Sequence, residues 1–504
     1  MFKSFELDLT ALGTFSLSPN QERVLLSNAA MRQASFNVPP PLVRFGLRLT
    51  GGVDPRMVRD ALTRVVERHP ALRCSFSENI VVPAVERHER LETFRRTGIF
   101  QTGLFVQTVH RRVVLSLNEF DWAAMDHGDR QNAIHSLVRQ EDLRPFGNSD
   151  TCRMRASLIR TGASEALLLL VFDHAAFDGF SARIVRREFE RVLQNPADAD
   201  SLTGGISAAG GFPEFAEWQR RMLATNYFRR SIAFWRDQWA GFAQYRIARE
   251  DLPFSVPLPE RPELTFATER VALDATNAAG LRDFAASAGT TAFTICLAAL
   301  ASVLGTYTGR SKIAIWSHLL NRVQAPTQDA VGFFVNTHLL GIDLQSADTG
   351  RELIRHVAGV VASSLAHQEL PLPCLWNALR CVPHVGDAQI LLDFRALPPQ
   401  SNEHGPVVRV DRWSLPDQTT PRLSSLGAYV LDAGDRIELA VTYWTACFAK
   451  RGVEHFLSDL RQRILALVHN PDGLCDNGTG TKGAPNSRMG HFLVLDSECI
   501  PMSG

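Results

Sequence analysis

Residues 167–172 read LLLLVF, an unbroken run of six large apolar side chains that ends at once in Asp173-His174, with Asp178-Gly179 following after three residues. A run of this length is too short to stand as a helix and reads as a buried strand. Over 182–193 the period changes. Ile184, Val185, Phe189 and Val192 share one face of a helix, and Arg183, Arg186, Arg187, Glu188 and Glu190 take largely the other. The polar cluster therefore sits at a strand-to-helix junction, where a rigid strand holds side chains at the lip of a cleft. The step Asp178-Gly179-Phe180-Ser181 is expected to turn the chain into the helix, with Ser181 at or near the N-cap. Taken alone, the cluster is compatible with a structural histidine bonded to a backbone carbonyl as well as with a functional one.

The rest of the chain sets an α/β frame around this junction. Ser18 with Pro19 and Gln21 opens a helix. A second helix is expected at 55–68, then strands at 72–76, 104–108 and 113–117, a helix at 131–141, and a hairpin of 154–159 with 167–172 across the turn at 162–164. Residues 196–211 are rich in Gly, Ser, Ala and Asp and read as a linker. The chain thus divides into 1–196, a linker at 197–211, a second unit at 212–470, and a tail at 471–504 expected to be mostly disordered, save for a short strand at 491–495. In the second unit the aromatic-rich stretch 212–239 reads as two helices whose rings are core. Helices at 277–286, 291–306, 350–367 and 450–468 alternate with strands at 269–273, 312–317, 388–394, 407–413, 428–431 and 437–443.

Composition narrows the partners. Fifty-three basic and 53 acidic residues balance, which gives no support to a nucleic-acid footprint. Eight cysteines without a Cys-x-x-Cys pair make neither a disulfide framework nor a zinc site. The N-terminus lacks a secretory apolar core, and the most apolar run, 293–304, is too short to span a bilayer. A cytoplasmic protein without membrane attachment is expected.

Asp173-His174 through Asp178-Gly179 resembles the His-His-x-x-x-Asp-Gly signature of the condensation domains of nonribosomal peptide synthetases, in the chloramphenicol-acetyltransferase-like superfamily. Further motifs follow that family's order. Ser18-Pro19-Asn20-Gln21 resembles its opening Ser-x-x-Gln helix, residues 68–76 (RHPALRCSF) its Arg-His-x-x-Leu-Arg-x-x-Phe, and residues 215–219 (FAEWQ) its Tyr/Phe-Ala-x-Trp-Gln. Asn321-Arg322 with residues 331–337 (VGFFVNT) is similar to the Gly-Arg and Gly-x-Phe-Val-Asn-Thr pair, and residues 367–371 (HQELP) to His-Gln-x-x-Pro. The resemblance implies two lobes arranged as a V, with a central tunnel and His174 near its middle. It also implies acyl transfer to an amine or hydroxyl, giving an amide or ester. The acyl thioester is delivered on the phosphopantetheine arm of a donor acyl or peptidyl carrier protein, and the acceptor is a second carrier protein or a soluble amine or alcohol. No permanently bound cofactor and no metal are implied, and the enzyme is expected to be a monomer.

The same resemblance assigns roles. His174 matches the second motif histidine; an imidazole accepts a proton near neutrality, and whether it acts as base, positions the nucleophile or stabilises the oxyanion stays open. Asp178 is expected to point away from His174 into a salt bridge with Arg322, and Gly179 to let the backbone pack closely under the cleft. Ser317 and Trp413 are candidates for the acceptor pocket. Asp173 departs from the first motif histidine. It either stands in for that architectural residue or, with Asp178 and Ser181, forms the Asp-x-x-x-x-Asp-x-x-Ser pattern of cyclization domains; retained His174 and Gly179 favour plain condensation. A carboxylate at 173 is also expected to raise the pKa of its neighbour. Competing readings are a coenzyme-A-dependent acyltransferase, a catalytically silent carrier-recruiting domain and an epimerisation domain, the last needing a second acid/base group across the tunnel. No adenylation region or carrier attachment site follows, so a free-standing enzyme or an excised domain is expected.

Overall fold

The computed structural model describes residues 13–33, 41–97, 103–195, 211–240, 244–259, 263, 265–379, 388–396, 408–415 and 425–474. In the first half the elements run β1 (Thr14–Ser16), α1 (Pro19–Gln33), β2 (Leu42–Gly51), α2 (Pro55–Arg68), β3 (Cys74–Glu78), α3 (Ala84–Thr97), β4 (Phe105–Val109), β5 (Ser116–Asp121), α4 (His127–Leu143), β6 (Met154–Arg160), β7 (Glu165–Asp173) and α5 (Ser181–Gln194). The second half continues with α6 (Phe212–Leu223), α7 (Arg229–Gln238), β8 (Phe266–Leu273), α8 (Ala275–Ser287), α9 (Ala292–Thr308), β9 (Lys312–Leu319), β10 (Asn336–Asp343), α10 (Gly350–Ala366), α11 (Leu372–Leu379), β11 (Ile390–Ala396), β12 (Val408–Trp413), β13 (Leu426–Asp432), β14 (Ile437–Trp444) and α12 (Lys450–His469).

The apolar run falls on β7, central in a five-stranded sheet of order β12-β2-β7-β6-β5. Leu168, Leu170 and Phe172 pack with Leu62 and Val65 of α2 and Ile184 and Phe189 of α5. Leu167, Leu169 and Val171 pack on the opposite face with Ile134, Leu137 and Val138 of α4. Helices cover both faces, so the strand needs no polar alternation. Full burial of each such side chain contributes about 1.5–3 kcal/mol, which makes β7 the most firmly anchored support available to the residues at its end. β6 and β7 form the expected antiparallel pair, with Arg160 opposite Ala166.

A second sheet has the order β10-β9-β11-β13-β14-β8. Ile313 and Ile315 of β9 join the core with α9, where all residues from Thr294 to Gly305 are buried. The apolar run at 293–304 is therefore a core helix. Among the described residues no single helix is long and apolar enough to cross a membrane. A three-stranded sheet, β1-β4-β3, completes the set.

Several elements differ from expectation. β1, β2, β10, α3 and α11 are additional. β2 is disguised by Arg44, Gly46 and Arg48: Arg44 is buried against Asp142 of α4 at 2.7 Å, and Gly46 leaves room for the Trp413 ring. Residues 70–73 form a 3-10 turn that starts at Pro70, so the strand expected at 72 begins at Cys74. The strand expected at 113–117 is shifted to β5, and Val114 is 89 % exposed. β12, late in the chain, pairs with β2 of the first half's sheet, Trp413 opposite Gly46. The linker at 197–211 lies outside the described residues except for Gly211, as do the tail beyond 474 and the strand expected at 491–495.

Candidate active site

β7 ends at Asp173, and the next residue is held by main chain on both sides. The His174 N–H donates to the Pro41 carbonyl at 3.2 Å, and its Nδ1 lies 2.8 Å from the Phe177 carbonyl oxygen. A carbonyl only accepts, so Nδ1 carries the proton and Nε2 of the neutral ring presents its lone pair. Phe333 meets the ring edge-on, 4.9 Å between centroids. The residue as a whole is only partly buried. Burial pushes its pKa below the ordinary 6.5; the Phe177 hydrogen bond, Asp178 and Asp173 act upward, and Arg23 acts downward. The expected elevation by Asp173 is thus outweighed by burial. Asp173 itself is turned aside: one oxygen lies 3.0 Å from Arg153 Nη1, and the other accepts the Ala175 N–H at 2.9 Å. Arg153, fully buried, also donates to the carbonyls of Cys74, Gly147 and Asn148.

Asp178 does not bond to the imidazole. Oδ1 accepts the Ser181 N–H at 2.8 Å and lies 2.7 Å from the Ser181 hydroxyl, and Oδ2 accepts the N–H groups of Phe334 and Val335 at 3.1 and 3.3 Å. Arg322 Nη2 is 3.0 and 3.1 Å from the two oxygens. Its Nη1 donates to the carbonyls of Thr327 and Ala330, and the guanidinium lies between the rings of Phe180 and Phe334. The helix-capping acceptor is therefore Asp178, and Ser181 is the first residue of α5 rather than its cap. Asn321, standing at the motif's glycine position, has φ 52°, a left-handed conformation that asparagine tolerates better than most residues.

Gly179 departs from its expected role. A Cβ there would meet nothing within 4 Å and its φ is not positive, so no close packing depends on it. The tight glycine is Gly332, where a Cβ would lie 2.4 Å from the Phe212 ring. Gly332→Ala is accordingly expected to lower stability by about 1–3 kcal/mol through overpacking, and Gly179→Ala to leave the urea midpoint of unfolding unchanged.

Ser317 is buried, its hydroxyl donating to the Leu392 carbonyl at 3.1 Å. Trp413 packs over Gly46 and Leu415 in the layer that holds α4. Neither hydrogen-bonds to His174 or stacks on it. Strand alternation gives the opposite face of β9 to His318, which retains accessible surface and whose Nδ1 is 3.0 Å from Thr337 Oγ1.

Both halves of the chain converge on the histidine loop. Gln21 Nε2 donates to the Ala175 carbonyl at 2.8 Å, within a capping box in which Ser18 Oγ accepts from Gln21 N. His69 Nε2 lies 2.7 Å from Glu188 of α5, and its Nδ1 accepts the Val331 N–H at 3.4 Å. Arg153, Arg23 and His318 lie outside the residues that the sequence motifs pick out, and Phe333 lies within the 331–337 motif without a role assigned to it.

A family model described as "Condensation domain" matches residues 78–483. The motifs at 18–21 and 68–76 lie ahead of that match. Phosphinothricin tripeptide synthetase PhsC of Streptomyces viridochromogenes is 30 % identical over 338 residues, 67 % of this chain and 29 % of that protein. Chondramide synthase cmdD of Chondromyces crocatus is 26 % identical over 457 residues, 87 % of this chain and 10 % of that protein. The chain thus spans less than a third of these curated relatives. Among solved structures, the X-domain from teicoplanin biosynthesis superposes with a TM-score of 0.72 at 19 % identity, covering 92 % of this chain and 96 % of that one. The condensation domain from the Monacolin K polyketide synthase MokA does so with a TM-score of 0.72 at 17 % identity, covering 92 % and 99 %. At such identities the likeness establishes a shared fold.

Proposed function

The chain belongs to the condensation-domain family, and from that premise we propose that it is an acyltransferase of nonribosomal peptide or hybrid polyketide biosynthesis. An amine or hydroxyl attacks a thioester carbonyl carried on the phosphopantetheine arm of a donor carrier protein, giving an amide or ester and a free thiol. The acceptor arrives on a second carrier or as a soluble amine or alcohol. Units 1–196 and 212–470 act as two lobes, with the arms entering the space between them.

One observation carries the reading: a partly buried histidine whose Nδ1 is fixed by a backbone carbonyl, so that Nε2 is the nitrogen left to take a proton. As the C–N or C–O bond forms, Nε2 accepts the nucleophile's proton; as the C–S bond breaks, the imidazolium returns it to the sulfur. Asp173, Asp178 and Arg322 shape the loop and stay out of the proton transfer. With Asp173 held by Arg153, the cyclization pattern lacks a free carboxylate at that position.

The test offers carrier-bound acyl thioesters with amines and alcohols and follows product mass in the wild type and His174→Ala. An amide or ester made only by the wild type supports acyl transfer, and a product lighter by one further water would replace it with cyclization. The pH dependence supplies a separate check. The reactive form is neutral and burial lowers the His174 pKa, so the rate falls as pH drops through a midpoint below 6.5 and is level at neutrality. With an alcohol acceptor, which does not titrate in this range, an acid limb centred above 6.5 in kcat/KM would contradict this assignment.

A further inference from the structure

Arg23 lies on α1, is 7 % exposed, and makes no hydrogen bond or ion pair among the described residues; its Nε is buried without an acceptor. A buried guanidinium with no counter-charge is costly, and natural cores rarely keep one. Burial lowers its pKa only to about 10, so it is a cation at neutral pH.

The surroundings give it a place. Asn20, one helical turn before Arg23, donates to the Val335 carbonyl at 3.4 Å and to Asn336 Oδ1 at 3.3 Å. Gln21 is bonded to the Ala175 carbonyl, one residue past His174. Thr337, next to Asn336, holds the His318 ring. These bonds clamp α1 between the His174 loop and the β9–β10 pair, and Arg23 is within electrostatic reach of both imidazoles. The nearby carboxylates are committed elsewhere: Asp173 to Arg153, Asp178 to Arg322, and Asp393 to Arg395 at 2.7 Å. What this cation lacks is an anion, and acyl transfer makes one transiently.

We propose that Arg23 stabilises the oxyanion formed when the nucleophile attacks the thioester carbonyl opposite His174. The inference rests on the acyl-transfer reading. The nucleophile's lone pair forms the new bond to carbon, and the carbonyl π pair moves onto oxygen, where the guanidinium faces it. The nucleophile's proton passes to His174 Nε2. On collapse the oxygen pair re-forms C=O, the C–S bond breaks, and the thiolate takes the proton from His174. A fixed cation at such a position acts on the transition state more than on the bound substrate. It also disfavours protonation of His174, with Asp178, Asp173 and the Phe177 carbonyl opposing it and His318 adding no net charge while neutral.

The experiment uses the full chain with a thioester and nucleophile that give turnover with the wild type. Arg23→Gln is expected to lose about 100-fold or more in kcat with KM within about threefold, the scale for losing one oxyanion contact. Its acid limb moves to higher pH, because a positive charge has left the neighbourhood of His174. Arg23→Lys keeps the charge, recovers at least about tenfold over Arg23→Gln and leaves the limb in place. Arg23→Met is the substitute should Arg23→Gln not fold, as judged by thermal unfolding. A folded neutral variant with kcat within about threefold of wild type, or with an unmoved limb, overturns the proposal, as does a lysine variant no better than glutamine. If the wild type consumes no thioester, the acyl-transfer reading falls and this inference with it; an active wild type with unaffected variants sinks this inference alone.

Discussion

His174→Ala is expected to reduce the rate of amide or ester formation by about 10²–10⁴-fold, the usual contribution of a positioned general base, with little change in thermal stability. Among the described residues the ring makes one hydrogen bond, to the Phe177 carbonyl, and one edge contact, with Phe333. The rest of the loop is held by other groups: Gln21 on the Ala175 carbonyl, the His174 N–H on Pro41, and Asp173 on the Ala175 N–H. The mutation therefore removes the proton acceptor and leaves its platform. His174→Asn keeps a donor for the Phe177 carbonyl but cannot take a proton at neutral pH, so it should be as slow as His174→Ala. Single-turnover rates with a loaded carrier, alongside thermal unfolding, check both points. A folded alanine variant within about threefold of wild type would remove His174 from the proton transfer.

Breaking the Asp178–Arg322 pair should produce the largest loss of stability, about 3–5 kcal/mol, as for other buried ion pairs deprived of one partner. The two deletions are not equivalent. Asp178→Ala strands a guanidinium set against the rings of Phe180 and Phe334, with, among the described residues, only the Thr327 and Ala330 carbonyls and the Ser181 hydroxyl left to it. It also strips the N–H groups of Ser181, Phe334 and Val335 of their acceptor. Arg322→Met leaves Asp178 with those donors and the Ser181 hydroxyl, which together still satisfy an anion. Asp178→Ala is thus the costlier change. Urea unfolding of the two single variants and the double variant measures the coupling; equal and small losses, each under about 1 kcal/mol, would mean that solvent reaches the pair. Because the carboxylate joins the His174 loop to residues 322–335, activity should fall in both variants even where the fold survives.

Much of this could be read from the chain because its signals are local. The length and apolarity of 167–172, the change of period after Ser181, and the Ser18–Gln21 box each lie within a few residues. The positions of β7, α5 and α1 followed from them. β2 escaped because Arg44, Gly46 and Arg48 answer to partners far away in sequence: Asp142, the Trp413 ring and Glu165. Ser317 and His318 are neighbours in sequence, yet strand alternation buries one and leaves the other accessible. Gly179 and Gly332 show the same limit, since nothing in a glycine's own neighbours says what a Cβ would strike.

Periodicity along the chain was enough to give the α/β class and the strand that leads into His174, since it is a property of adjacent residues; the partner expected for Asp178 came from the family resemblance. Tertiary structure alone decided which tautomer His174 presents, that burial outweighs the carboxylate beside it, and that Arg23 is a cation with no partner among the described residues. Those depend on the distance and solvation of groups up to several hundred residues apart, and electrostatic free energy is set by that arrangement rather than by order along the chain.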